Sequence, residues 1–229
     1  AAGMLFAEGL LSPTALDSVA YCTDTRLTRD QEFNVVTVTL ADPPPRLPHA
    51  VHDTVTAAAS ACGVCGTDSI GEVLALTEVR GTMGTDVVEP SVLQSLPGRL
   101  REAQRVFDAT GGLHAAGLFT PGGELLRLRE DVGRHNALDK LVGAALLDGE
   151  LPLSRGIVLA SGRLSFELAQ KAARAGVPVL AAVSAPSSLA VELAESVGMT
   201  LAGFVRGSRF NVYTGGGRIA AATMQTTGG

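Results

Sequence analysis

From residue 156 onward the chain alternates short, uncharged apolar runs with longer stretches in which apolar and charged residues mix. GIVLA (156–160) precedes LSFELAQKAARA (164–175), VPVLAAV (177–183) precedes a mixed stretch over 187–197, and MTLAGFV (199–205) and RFNVYT (209–214) follow. Apolar runs this short, bounded by Gly, Ser and Pro, read as buried strands, and the mixed stretches carry the 3.6-residue period of helices. Strand–helix alternation at this spacing calls for right-handed crossovers and parallel pairing. The strands end at ASGR and SAPSS. Ligands of open α/β sheets sit beyond the strand carboxyl ends, so Ser161-Gly162-Arg163 and Ser184-Ala185-Pro186-Ser187 are predicted cleft loops.

The first half is less regular. Residues 1–11 look helical, EFNVVTVTLA (32–41) is β-rich, and DPPPRLP (42–48) breaks regular structure because prolines fix φ and remove donors. Residues 89–112 read as helix with a break near Pro97-Gly98, a core stripe of Leu100, Ala103, Val106 and Phe107, and a stop at Gly111-Gly112. HAAGLFTPGGELLRL (114–128) predicts a hairpin turned at Pro121-Gly122-Gly123. A helix is expected over 133–147, opened by Glu130 and Asp131. We find no internal repeat. The expected division is an N-terminal helix and β-rich part (1–60), a mobile cysteine loop (61–86), an α/β ligand-binding domain (87–214) and a frayed Gly/Thr-rich tail (215–229).

Composition narrows the classes. The 229 residues are 46% hydrophobic, a globular share, and hold no apolar run long enough to span a bilayer. The net charge of −5 argues against a general nucleic-acid binder. The opening AAGMLFAEGLLSP lacks a basic leader and a cleavage site, and its lack of an initiator Met leads us to expect an upstream segment. Three cysteines are too few for a disulfide scaffold. Two of them, Cys62 and Cys65, form a close pair that in a reducing cytosol points to catalysis, redox chemistry or metal binding.

The pair lies in ACGVCGTDS, a glycine-rich stretch we place on a loop. As a zinc site it needs further ligands, and Cys22, His49, His52, His114 and His135 supply them only by folding together. A zinc deaminase needs H-x-E upstream of P-C-x-x-C; here the C-x-x-C precedes His114, and Ala116 stands where the glutamate belongs. A thioredoxin-like pair wants a helix start, for which Gly63, Gly66 and Gly71 are poor. A persulfide carrier wants a reachable thiolate on a mobile arm, and inert loop thiols are the bland alternative.

Three arginine-bearing blocks fall at predicted junctions: Arg129, Arg134, His135, Asn136 and Lys140; Ser161, Arg163, Ser165, Glu167 and Lys171; Arg206, Arg209 and Asn211. Guanidinium forks and free N–H groups grip phosphate oxygens, and Gly162 and Gly207 permit close backbone approach, so a phosphate-bearing ligand is favoured over surface ion pairs. No P-loop motif is present. His114 reads as a core histidine. His135, among charges at a helix start, reads as an acid/base or ligand contact. Asp131 and Asp139 are candidates to pair with Arg134 and Lys140.

Taken in order, FAEGLL, ACGVCG, TGGLHAAGLF, REDVGRHNALDKLVG, SGRLSFELAQKAARAGVPVLAAVSAPSSLAVELA and GFVRGSRFNVYT resemble the formate dehydrogenase accessory sulfurtransferase family (FdhD type). The resemblance implies a cytidine-deaminase-like α/β fold, a mixed sheet with helices on both faces and no catalytic zinc, in a cytoplasmic homodimer. It implies a sulfurtransferase that takes persulfide sulfur from a cysteine desulfurase. The sulfur goes to the molybdenum bis(molybdopterin guanine dinucleotide) cofactor, bound as substrate and partly mimicked by guanine nucleotides, before the cofactor enters formate dehydrogenase. No nucleic acid or membrane is implied. The family's cysteines fall on Cys62, the persulfide bearer, and Cys65. Its guanine-dinucleotide contacts fall on Phe204, Val205, Arg206, Gly207, Ser208 and Arg209, beside the cleft residues Ser161, Gly162, Arg163, Ser184 and His135. A cofactor-binding chaperone without sulfur transfer is the alternative.

Overall fold

The computed structural model describes residues 1–24, 26–28, 33–43 and 84–221. Positions 61–83 of the cysteine loop, with Cys62 and Cys65, lie outside the described residues, as do His49, His52, Glu32, positions 44–48 of the proline-rich stretch and positions 222–229 of the tail.

Six strands form one mixed sheet in the order β4-β3-β5-β6-β7-β8. They are β3 (His114–Phe119), β4 (Leu125–Asp131), β5 (Ile157–Ala160), β6 (Val179–Ala182), β7 (Thr200–Arg206) and β8 (Arg209–Thr214). β5, β6 and β7 run parallel; β3 is antiparallel to β4 and β5, and β8 to β7. Along β5 the side chains alternate between two cores. Val158 and Ala160 face one, Ile157 and Leu159 the other, and Leu180/Ala182 and Val179/Ala181 repeat this on β6. A strand covered on both faces must be apolar at every position, which is why these runs hold no charge.

The first core is closed by α4 (Arg134–Leu147), α5 (Phe166–Arg174) and α6 (Ser188–Val197), through Leu138, Leu141, Leu168, Ala172 and Leu193. The short α1 (Ala2–Ala7) crosses α4 at Gly3 and Gly143, where a Cβ on Gly3 would collide with the Asp139 carbonyl oxygen. The second core is closed by α2 (Pro90–Ala103), with α3 (Arg105–Thr110) following it. Apart from the sheet, β1 (Leu16–Tyr21) and β2 (Val36–Leu40) form an antiparallel hairpin whose Leu16, Val19 and Leu40 rest on the first core.

The expected parallel unit, the hairpin at Pro121–Gly123 and the helix over 133–147 are all present. Four readings need correction. The helix over 89–112 passes through Pro97 and breaks instead at Gln104, with ψ at 74°. Its buried face is Leu93, Leu96 and Leu100; Ala103 is half-buried and Val106 exposed. An internal proline costs roughly 3 kcal/mol, and three fully buried leucines at about 1.5–3 kcal/mol each outweigh it. Glu130 and Asp131 belong to β4 rather than to the first turn of α4. The Glu130 carboxylate accepts the Val106 and Phe107 N–H groups and so caps α3. The first helix stops at Ala7, short of Leu11. The start of the tail does not fray: Ile219 bridges Val88, and the Ala220 N–H donates to the Val88 carbonyl.

Candidate functional site

Strand directions bring the predicted loops together. The carboxyl ends of β4, β5, β6 and β7 and the amino ends of β3 and β8 lie at one edge of the sheet. The first turns of α4, α5 and α6 start from the same edge. Backbone bonds stitch the rim: Ser161 N–H to Ala115, Leu164 N–H to Ala185, Ser187 N–H to Leu164, and Phe204 N–H to Ser184. The Ser161 hydroxyl accepts the Ala115 N–H at 2.8 Å, and the Arg206 Nε donates to the Val183 carbonyl at 3.0 Å. Ser161, Gly162, Arg163, Ser184, His135 and the 204–209 turn therefore share one rim.

At its β7–β8 end, Arg206 and Arg209 face each other in register across the Gly207-Ser208 turn, both exposed. Like charges directly opposite on a hairpin are destabilising, so this pairing suits an anion held between them. A register shift between Gly203 and Arg206 bends the strand there, and Phe204 takes φ 53°, unusual for a bulky residue. The residue remains 38% exposed, two positions before Arg206 in the chain. Strain of this kind concentrates at functional sites. The Gln94 amide donates to the Ser208 carbonyl at 2.9 Å and ties α2 to the turn. Val205, expected among the contacts, is fully buried in the second core and offers no side chain to a ligand.

At the β3–β5 end, His114 is half-buried, its Nδ1 3.5 Å from the Ser161 hydroxyl, and it lies with Arg134 against Gly162. The core reading of His114 is thus corrected: as the first residue of β3 it reaches the rim. The Arg134 Nε is buried without a hydrogen-bond partner. Asp131 and Asp139 do not hold it. Asp131 pairs with Lys140 at 2.5 Å, and Asp139 with Lys171 at 2.8 Å. Burial pulls the Asp131 carboxyl upward, but Lys140, the Gly133 N–H and Asn136 outweigh it and leave the group below its usual value.

His135 Nε2 lies 2.9 Å from the Ser165 hydroxyl and 3.8 Å from the Glu167 carboxylate. Burial first, and the Arg134 guanidinium second, push this imidazole below the ordinary histidine value, with Glu167 opposing. Serine and glutamate approach the same ring nitrogen. A hydrolytic triad needs the carboxylate on Nδ1, so the trio does not form one. Glu8, at the end of α1, lies within electrostatic reach of Lys171, Asp139 and Glu167, and burial raises its carboxyl; sequence spacing holds no signal for that approach.

Among the described residues, no three of His, Cys, Asp and Glu gather as a metal site requires, and no helix is long and apolar enough to cross a membrane. A cavity of about 690 Å³ opens at the other end of the sheet, lined by Leu118, Pro121, Arg127, Glu150 and Arg155 among others. Its charges pair off, Arg127 with Asp148 and Glu150, and Arg155 with Asp86. None of the predicted site residues that are described lines it.

Fold and rim together define a mixed-sheet α/β protein whose strand ends gather His114, Arg134, His135, Arg206 and Arg209 at one edge. The FdhD/NarQ family profile matches residues 1–220, and the chain belongs to that family. It is 53% identical to the "Sulfur carrier protein FdhD" of Streptomyces avermitilis, covering all of this chain and 81% of that protein. It is 46% identical to the protein of the same name from Mycobacterium tuberculosis, over 95% and 80% of the two chains. A crystal structure described as that of a formate dehydrogenase accessory protein from Desulfotalea psychrophila superposes with a TM-score of 0.69 at 25% identity, over 96% of this chain and 77% of that one.

Proposed function

We propose that this chain is a sulfur carrier serving formate dehydrogenase maturation. Cys62 takes sulfane sulfur from the persulfide of a cysteine desulfurase by thiol exchange: the Cys62 thiol becomes a persulfide as the donor's persulfide returns to a thiol. The terminal sulfur then passes, at the sulfide level, to the molybdenum bis(molybdopterin guanine dinucleotide) cofactor, bound at the rim as substrate: the Cys65 thiol attacks the inner sulfur of the Cys62 persulfide, a Cys62–Cys65 disulfide forms, and that oxidation supplies the two electrons the outgoing sulfur takes. The finer expectations of a cytidine-deaminase-like fold without catalytic zinc, a homodimer and a cytoplasmic site of action belong to the same reading.

The observation that carries it is the β7–β8 turn. Arg206 and Arg209 stand opposed in register beside a strained, exposed Phe204. This suits a ligand with both phosphates and a flat base: the guanidiniums take the anion and the ring takes the base. The names of the relatives support the sulfur-carrier part of the reading.

The test is mass spectrometry of the full chain after incubation with a cysteine desulfurase and L-cysteine. One added sulfur atom on Cys62, absent from Cys62→Ala, is expected. An unlabelled motif in the parent chain, with Cys62→Ser still activating formate dehydrogenase in cells, would overturn transfer in favour of a cofactor-binding chaperone.

A further inference from the structure

Resting on the nucleotide reading above, we propose that His135 takes up a proton when the ligand's diphosphate occupies the rim, so that the protein grips its anionic cargo more tightly as pH falls. Nothing in the family match or in the names of the relatives assigns this residue a role.

The geometry provides for both states of the ring. His135 stands in the first turn of α4, beyond the end of β4, and Ser165 stands just before α5, beyond the end of β5. When the ring is neutral with its proton on Nδ1, the Ser165 hydroxyl donates to Nε2 across 2.9 Å. Ser165 is free to do so, because it makes no side-chain cap bond to its own helix. When Nε2 is protonated the same hydroxyl accepts, and the charged ring finds Glu167 Oε2 3.8 Å away. That carboxylate oxygen is buried and has no hydrogen-bond partner. Buried acceptors are nearly always satisfied, so an unsatisfied one beside a titratable ring is a counter-ion in place for the charged form.

The surroundings set the direction of the switch. Two cations face the ring, Arg134 on its own helix and Lys171 on α5, and two anions, Asp139 and Glu167. Lys171 and Asp139 are spent on each other at 2.8 Å, with Glu8 of α1 adjoining them. Asp131 of β4 is engaged by Lys140, and His114 of β3 lies beyond Arg134, against Gly162. The balance left to move is Arg134 against Glu167. Arg206, tied through its Nε to the Val183 carbonyl after β6, reaches from the turn toward the middle of the rim; a diphosphate that extends from it to the Arg134 guanidinium draws on that charge and brings its own, and both changes favour the imidazolium. The free ring, below its ordinary value of 6.5, is neutral at pH 7. Binding therefore takes up a fraction of one proton, and affinity falls as pH rises through the bound-state value.

The probe is GDP-mannose, a guanosine diphosphate diester whose phosphates carry no proton that titrates near neutrality. Calorimetry at pH 7 in two buffers of different ionisation enthalpy measures the proton count directly. The parent chain should take up protons on binding and lose about tenfold in affinity between about pH 6 and 8. His135→Gln should bind with no uptake and a flat pH profile, and Glu167→Gln should show reduced uptake; a purely structural role would move affinity without moving the proton count. Uptake unchanged in His135→Gln, or binding by the parent without uptake, overturns the inference and leaves the nucleotide site standing. Failure of folded parent chain to bind GDP-mannose at any pH overturns the nucleotide site and this inference with it.

Discussion

Replacing Lys171 by Met should cost far more than replacing its whole ion pair. The Lys171 side chain is 7% exposed and that of Asp139 13%, and they meet at 2.8 Å between α5 and α4. Methionine fills the lysine's volume but leaves Asp139 charged and buried with its partner gone, a change worth about 3–5 kcal/mol. The double variant Lys171→Met with Asp139→Leu removes both desolvation penalties with the pair and should stand within about 1–2 kcal/mol of the parent. Urea unfolding followed by far-UV circular dichroism reads this as a midpoint about 1–2 M lower for the single variant and nearly restored for the double. The deficit of the single variant should shrink toward pH 4, because loss of Lys171 removes the cation that opposes burial at Glu8, and protonation of that carboxyl relieves the added cost. A single variant that loses less than about 1 kcal/mol, or a double that loses as much as the single, would show that the pair does not bear on the α4–α5 packing as argued.

Phe204→Gly should separate stability from binding. Glycine relieves the φ of 53°, so the urea midpoint should hold or rise, while loss of the ring weakens guanine nucleotide binding by about 1–3 kcal/mol in calorimetry. Arg209→Ala should weaken the same binding by about 1–3 kcal/mol without lowering the midpoint, since it removes one of two opposed like charges. Glu8→Gln should raise the midpoint at pH 7. A carboxyl raised by burial holds a proton in the folded state over a range where the unfolded chain has lost it, so its contribution declines as pH rises, and the gain from glutamine should vanish once both states are protonated, near pH 4.

The parallel half of the fold was legible because double burial leaves a local mark: Ile157–Ala160 and Val179–Ala182 are uncharged throughout, the first running into Ser161-Gly162 and the second into Val183-Ser184. The course of 89–112 was not legible. Pro97 is a local signal for a break, and the leucines that override it are buried against strands distant in sequence. The two half-sites differ in the same way. The loops after β5 and β6 followed from the rule of strand carboxyl ends, whereas His114 reaches the rim because β3 runs opposite to β5 and brings its first residue there. A lone histidine in HAAGLF holds no trace of that direction.

Charge type alone also fails to sort structure from function, and the geometry explains why. Lys171, Lys140 and Arg206 all stand in the sequence blocks that suggested an anion site. Lys171 and Lys140 are spent on Asp139 and Asp131; such cations fix helices and strand ends and have little left for a ligand. Arg206 gives its Nε to a carbonyl, which orients the fork without neutralising it, and faces another arginine across a tight turn. Two like charges opposed across a turn, on a strand whose register shifts at an exposed aromatic residue, are unfavourable without an anion, and it is this imbalance that supports the proposed ligand. The useful question at each cation is therefore whether the fold has already matched its charge, and among the described residues no carboxylate pairs with Arg206 or Arg209 at the β7–β8 turn.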